Sequence, residues 1–192
     1  IISTEQSYTP TNADVGEFLI CKVTSSVELG SISRATYVIP AALFEADGYD
    51  SGVLSNTLSG MKYSIDGGAI WHDITENTMS LTGVTEVNDI MLYQPAIGAI
   101  TSNSEAQIID VTRAVTPALV ASQPTTVNGT GSIPTDISHE YSVDGINWYG
   151  CTGNLTELVP GDYLVRARAV GTMLASEAQV INILAFNASQ EV

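Results

Sequence analysis

The chain has 192 residues, 44% of them apolar, and sets 6 Lys plus Arg against 21 Asp plus Glu for a formal net charge of −15. That length allows one large domain or two small ones around a packed core, and no apolar run approaches the ~20 residues of a helical membrane span. A surface this acidic repels nucleic-acid backbones and anionic headgroups, which argues against nucleic-acid partners and against membrane insertion.

The chain opens Ile1-Ile2-Ser3-Thr4-Glu5 with neither an initiator Met nor a signal peptide, the start expected of a processed protein or a fragment. Acidity with few lysines and many Thr, Ser, Asn and Gly residues fits an extracellular protein, or acidic loops that gather Ca²⁺. Cys21 and Cys151 are far apart and are expected to be two small buried hydrophobes rather than a disulfide. With no CxxC and only His72 and His139, a structural zinc site is excluded.

In chain order, a strand ending Cys21-Lys22-Val23-Thr24 is expected, then one from Ser31 to Ile39, and Pro40 to Ala46 allows a single helical turn. Glu45, Asp47 and Asp50 crowd one short loop. This makes Ca²⁺ the candidate cofactor, although the spacing is not that of an EF-hand. Next comes Tyr63-Ser64-Ile65-Asp66-Gly67-Gly68-Ala69-Ile70-Trp71, and later Tyr141-Ser142-Val143-Asp144-Gly145-Ile146-Asn147-Trp148-Tyr149. Asp-Gly between two alternating runs is a strong hairpin signal. Tyr163 to Val170 alternates with period two, which places Tyr163, Val165, Ala167 and Ala169 on one face of a half-buried strand.

Three landmarks recur in the same order. Ile39-Pro40-Ala41-Ala42-Leu43 returns as Thr116-Pro117-Ala118-Leu119-Val120, the Asp-Gly phrase returns, and Ser104-Glu105-Ala106-Gln107 returns as Ser176-Glu177-Ala178-Gln179, at offsets of about 77, 77 and 72. Two copies of a unit of roughly 75 residues follow, with about five extra residues in the first copy between Trp71 and Ser104. Short strands with frequent Gly and Pro punctuation predict an all-β fold of tandem immunoglobulin-like β-sandwich repeats, the N-terminal one incomplete. The expected divisions are residues 1–38, half a repeat; 39–114, a full repeat; and 115–192, a full repeat with a short tail.

Tyr8-Thr9-Pro10-Thr11-Asn12-Ala13-Asp14-Val15-Gly16, with the strand ending Cys21-Lys22-Val23-Thr24, resembles the second half of a bacterial immunoglobulin-like repeat. The later units resemble the tandem immunoglobulin- or fibronectin-III-like modules of large bacterial surface proteins. That likeness is carried by YSxDGxxW, by Leu158 to Ala169 and by ASEAQ. The resemblance implies sandwiches that serve as stalks, adhesive heads or fibre subunits at an extracellular, bacterial cell-surface location. It fixes architecture better than activity.

SxDxGxxW also resembles the Asp-box of sialidases, which would imply an arginine cluster, a tyrosine nucleophile and a propeller. The chain offers only Arg34, Arg113, Arg166 and Arg168, and is too short for that fold. Among Asp47, Asp50, Asp66, Asp73 and Glu76 no glycosidase pair stands out, and His72 and His139 are expected at the surface. Lys22 and Lys62 are the only lysines for an isopeptide bond, and Lys62 is expected to be exposed.

Ser64, Asp66, Gly68 and Trp71, with Ser142, Asp144, Gly145 and Trp148, are therefore expected to build structural hairpins whose tryptophans anchor the core. Tyr63, Ile65, Tyr141 and Val143 should point inward, leaving Tyr149 as the candidate ligand contact. The function expected is a non-catalytic structural or adhesive segment of a bacterial surface protein. The alternative is a self-assembling fibre or virion-surface subunit that polymerises by strand complementation through residues 1–38, with a glycan-binding domain third. The expected partners are neighbouring repeats, other copies of the chain, and a host protein or glycan.

Overall fold

The computed structural model describes residues 7–24, 31–98 and 102–187, with nothing stated for the side chain of Ile32. These residues are all-β, with antiparallel sheets, one short parallel pair and no α-helix. Among the described residues no helix is long and apolar enough to cross a membrane. Two compact units emerge, residues 1–44 with 52–111, and residues 45–51 with 112–192.

In the first unit the chain begins with a single 3₁₀ turn at Asn12–Asp14. One carboxylate organises it: Asp14 Oδ2 accepts the Tyr8 hydroxyl at 2.7 Å, the Thr11 N–H at 2.7 Å and the Thr11 hydroxyl at 2.9 Å. Gly16, at φ +83°, then turns the chain into strand β1, Phe18–Thr24. β1 pairs antiparallel with β2, Ser31–Tyr37, from Phe18 opposite Tyr37 to Thr24 opposite Ser31. Phe18 and Tyr37 close the open end edge-to-face, with ring centroids 5.0 Å apart. This two-stranded sheet pairs with no other strand among the described residues. Ala35 is buried, but Ile20 and Val23 are 62% and 64% exposed. Cys21 is exposed too, which corrects the expectation of a buried thiol. Its face also carries Leu19, which is partly buried, and Val23, which is exposed.

The strands that follow are β3 (Leu43–Ala46), β4 (Ser51–Ser55), β5 (Lys62–Ser64), β6 (His72–Asp73), β7 (Met79–Thr82), β8 (Ile90–Tyr93) and β9 (Gln107–Ile109), of which Glu45, Ala46 and Ser51 fall in the second unit. One sheet has the order β3-β4-β7 and the other β6-β5-β8-β9. Side chains alternate as a pleat requires: Phe44, Leu54, Leu81, Ile90, Leu92 and Ile109 are buried, and their strand neighbours are more exposed. The helical turn expected from Pro40 to Ala46 does not form. Leu43-Phe44-Glu45-Ala46 alternates exposed and buried, and this period-two pattern is satisfied by a strand.

The second unit adds β10 (Thr112–Arg113), β11 (Gly131–Ile133), β12 (His139–Ser142), β13 (Tyr149–Gly150), β14 (Leu155–Leu158), β15 (Gly161–Ala167), β16 (Met173–Leu174) and β17 (Gln179–Ile183). β11 pairs with β14, β10 runs parallel to β16, and a four-stranded sheet has the order β13-β12-β15-β17. Ile133 of the first of these sheets packs with Tyr163, Val165, Ile181 and Ile183 of the last, and Leu155, Leu158 and Tyr141 close around them. Two sheets face to face across one apolar core make this unit a β-sandwich. Fully burying each of these aliphatic side chains is worth about 1.5–3 kcal/mol. At the sharp entrance to β15 the Tyr163 hydroxyl donates to the Val159 carbonyl at 3.0 Å. That is the tyrosine corner of immunoglobulin-type sandwiches.

Residues 45–51 belong to this second unit through their own bonds. Ala46 N–H donates to Gly171 O at 2.7 Å, and Ala175 N–H donates to Gly48 O at 2.9 Å. Arg113 Nη1 donates to the carbonyls of Tyr49 and Ala175 at 2.8 and 2.9 Å, with its guanidinium 4.0 Å from the Tyr49 ring centroid. The Tyr49 hydroxyl in turn donates to Glu177.

Candidate functional site

The repeated phrase folds on one plan in both copies. After β5, the Ser64 hydroxyl donates to Asp66 Oδ1 at 2.6 Å and accepts the Gly68 N–H at 2.9 Å; Asp66 Oδ1 also accepts the Ile70 N–H at 2.9 Å. Gly67 and Gly68, at φ +73° and +90°, carry the chain through conformations that a side chain would strain. After β12, the Ser142 hydroxyl donates to Asp144 Oδ1 at 2.9 Å and accepts the Gly145 N–H at 2.9 Å. Asp144 Oδ1 accepts the N–H groups of Ile146 and Asn147, each at 2.8 Å, and Oδ2 accepts the Asn147 side-chain amide at 2.7 Å. Both serines are fully buried.

These bonds decide the chemistry. The Ile70 N–H and then the Ser64 hydroxyl hold the Asp66 carboxyl below the usual carboxylate range. The Asn147 side chain, with the backbone N–H groups of Asn147 and Ile146, holds the Asp144 carboxyl well below it. A carboxylate so held is ionised at neutral pH, with its Oδ1 engaged by donors of its own turn. It is a poor general acid and a weak base.

The tryptophans do not anchor the core as expected. The register sets Ser64 opposite Met91 and Ser142 opposite Leu164, so Tyr93 and Arg166 occupy matching places on the outer faces of the two sheets. Trp71 packs edge-to-face on Tyr93, centroids 4.6 Å apart. With Met91, Asn103, Ser104 and Ala106 they line a shallow depression of about 330 Å³. Over Trp148 lies the Arg166 guanidinium, 3.8 Å from the ring centroid, and Arg166 Nε donates to Glu140 Oε1 at 2.6 Å. Arg166 is only 8% exposed. Each Trp follows a turn that resets the strand phase, and it roofs the outer face instead of entering the sandwich.

Two further pairs carry the repeat. Gln107 bonds both backbone groups of Ala42: its Oε1 accepts the N–H at 2.9 Å, and its Nε2 donates to the carbonyl at 2.7 Å. Gln179 does the same to Leu119, at 2.8 Å in both directions. The hydroxyls of Ser104 and Ser176 each accept a backbone N–H, from Gln94 and Ala167, both at 2.9 Å. The recurrence of Ser-Glu-Ala-Gln was the sequence signal for these roles, and Ala42 and Leu119 stand at matching places in the lead-in segments.

The other candidates scatter. Asp47 accepts the Ser51 hydroxyl at 2.6 Å, and among the described residues no group of three or more His, Cys, Asp or Glu is placed to hold a metal ion. Glu45, Asp47 and Asp50 do not converge. Tyr149 is 55% exposed and its ring lies 5.7 Å from that of Tyr141, which packs against the core. Val143 does not point inward as expected; it is exposed because the Ser142–Asp144 turn has already begun. His72 stacks on Tyr63, and His139 Nδ1 lies 2.8 Å from Asp136 Oδ1. Lys62 is partly exposed with its ammonium 2.5 Å from Asp73. Asn128, Asn154 and Asn187, each the first residue of an N-x-S/T sequence, are exposed.

No family model matches the sequence, and no curated protein matches it. Among solved structures, the crystal structure of chicken CNTN1 FN1-FN3 domains is similar at 12% identity, covering 76% of this chain and 65% of that one, with a TM-score of 0.24. The sandwich architecture stands on the strand pairings and on the Tyr163 corner.

Proposed function

We propose that the protein is a non-catalytic structural or adhesive segment, a spacer of repeated β-sandwich units working at a bacterial cell surface. One observation carries this: in both copies the reactive-looking side chains of the shared phrase close their bonds inside their own turn. Bonds from side chain to backbone also hold each lead-in segment to its closing strand. A spacer needs that kind of self-contained unit.

Single-molecule stretching tests the spacer. Each unit of roughly 75 residues should add about 25 nm of contour length when it unfolds, in two separate events. A single event, or turnover on a glycan panel that D66N and D144N abolish, would sink it.

A second reading, assembly through residues 1–38, is supported by the hairpin β1–β2. It pairs with no other strand among the described residues and exposes Ile20 and Val23.

A further inference from the structure

We infer that the outer edge of β1 is a homodimer interface, on which β1 of a second copy pairs antiparallel about a two-fold axis at Cys21. This deepens the assembly reading and rests on it.

The hairpin's own bonds show which backbone groups are available. Val38 N–H donates to Glu17 O at 3.0 Å, so the pair Glu17–Val38 faces inward across the hairpin. In an antiparallel ladder inward and outward pairs alternate. With Cys21 opposite Arg34 and Ile20 opposite Ala35, the backbone of Cys21 points to β2 and that of Ile20 and Lys22 points away. The Ala35 carbonyl agrees with this phase, because it accepts the Ser102 N–H at 3.1 Å on the far side of β2. That bond meets the outer edge of β2. The outer edge of β1 has no strand against it among the described residues.

A reversed copy of β1 fits this edge. Cys21 is the middle residue of the seven in β1. A two-fold there brings the outward groups of Ile20 onto Lys22 of the second copy, and the reverse. Leu19 then sits beside Val23 of the second copy, and the two Cys21 side chains meet between those pairs on one face. The result is a single apolar stripe made from the partly buried Leu19 and the exposed Cys21 and Val23 of each copy. Charge favours the same occupant. β1 and β2 carry Lys22 and Arg34 and no carboxylate, in a chain with 21 acids and 6 basic residues. Two copies of a −15 molecule therefore meet at these strands without setting carboxylate against carboxylate.

Cys21 supplies the probe. It would form a non-hydrogen-bonded cross-strand pair, with Cα atoms about 4.5 Å apart, inside the span of roughly 4.4–6.8 Å that a disulfide bridges. Oxidised glutathione is the oxidant. The two thiols give up two protons and two electrons, and one glutathione disulfide becomes two thiols. Cys151, 3% exposed and with its thiol pushed up by burial, stays out of this exchange.

The test uses the 192-residue chain. Sedimentation of the reduced protein over a concentration series should show a dimer. Glutathione disulfide should then trap it through Cys21 alone, with no trapping in C21S. Ile20→Pro removes an outward N–H and leaves the β1–β2 bonds in place, so trapping should fall about tenfold or more. If circular dichroism shows that variant disordered, Ile20→Lys, which charges the same edge, decides. A protein that stays monomeric and gives only the glutathione mixed disulfide overturns the inference and the assembly reading together. A dimer that both Ile20 variants form as well as the wild type overturns this interface alone.

Discussion

The two repeats agree in the bonds that close their turns and lead-in segments and diverge in what covers the outer faces of their sheets. Gln107 and Gln179 hold Ala42 and Leu119 in the same way, and Ser64 and Ser142 each hold an aspartate and a glycine. The roofs differ. Trp71 lies on Tyr93, whereas Trp148 lies under an arginine that pairs with Glu140. Backbone is present whatever residue the partner position carries, so a bond to it survives substitution of that partner. A contact between two side chains is lost when either changes, and must be rebuilt in pairs. Lys62 and Tyr93 stand where Glu140 and Arg166 stand. Both members of the pair differ between the copies.

The sharpest way to break the comparison is at the second roof. Arg166→Leu should cost about 2–3 kcal/mol in urea unfolding, because Glu140, with its side chain 16% exposed, is left without its cation. Adding Glu140→Gln should recover much of the loss, which a mere packing defect would not allow. Next in size, Gln107→Ala and Gln179→Ala should each cost about 2 kcal/mol by orphaning one backbone donor and one acceptor. Similar costs in the two repeats would sharpen the shared plan, and a large inequality would break it.

The smallest effect is titration of the turns. Asp66 and Asp144 have carboxyls held below the usual range, so each binds its proton more weakly folded than unfolded. Their stabilisation is present above the unfolded value of about 4 and is lost as pH falls through the folded one. Melting temperatures should drop below about pH 4, and D144N should flatten that drop more than D66N, since Asp144 gathers more donors.

The period of the fold was legible because repetition and alternation are local. Tyr163 and Val165 face the core as the alternation of β15 predicts, and the Asp-Gly phrases turn. Residues just past those turns were not legible. Val143, Trp71 and Trp148 follow a change of phase that no strand period carries across. Arg166 alternates with Val165 onto the outer face of β15, but its burial depends on where Trp148 lands. Cys21 and Val23 have the pattern of a covered strand, yet hydrophobicity alone does not say whether a covering sheet is there. The single-residue difference between the two Asp-to-Trp spans was visible in the sequence. Its physical solution was not: the serine oxygen accepts Gly68 in one copy and Gly145, one position nearer, in the other.

The glutamine bonds reach across 65 residues in the first repeat and 60 in the second, from the last strand back to the lead-in segment. Each repeat is thereby closed on itself, with its beginning and end held side by side by its own residues. A module of that kind carries its closure wherever its coding segment is copied. Duplication in tandem then requires no new bond to be invented, only that the glutamine and a stretch of backbone travel together.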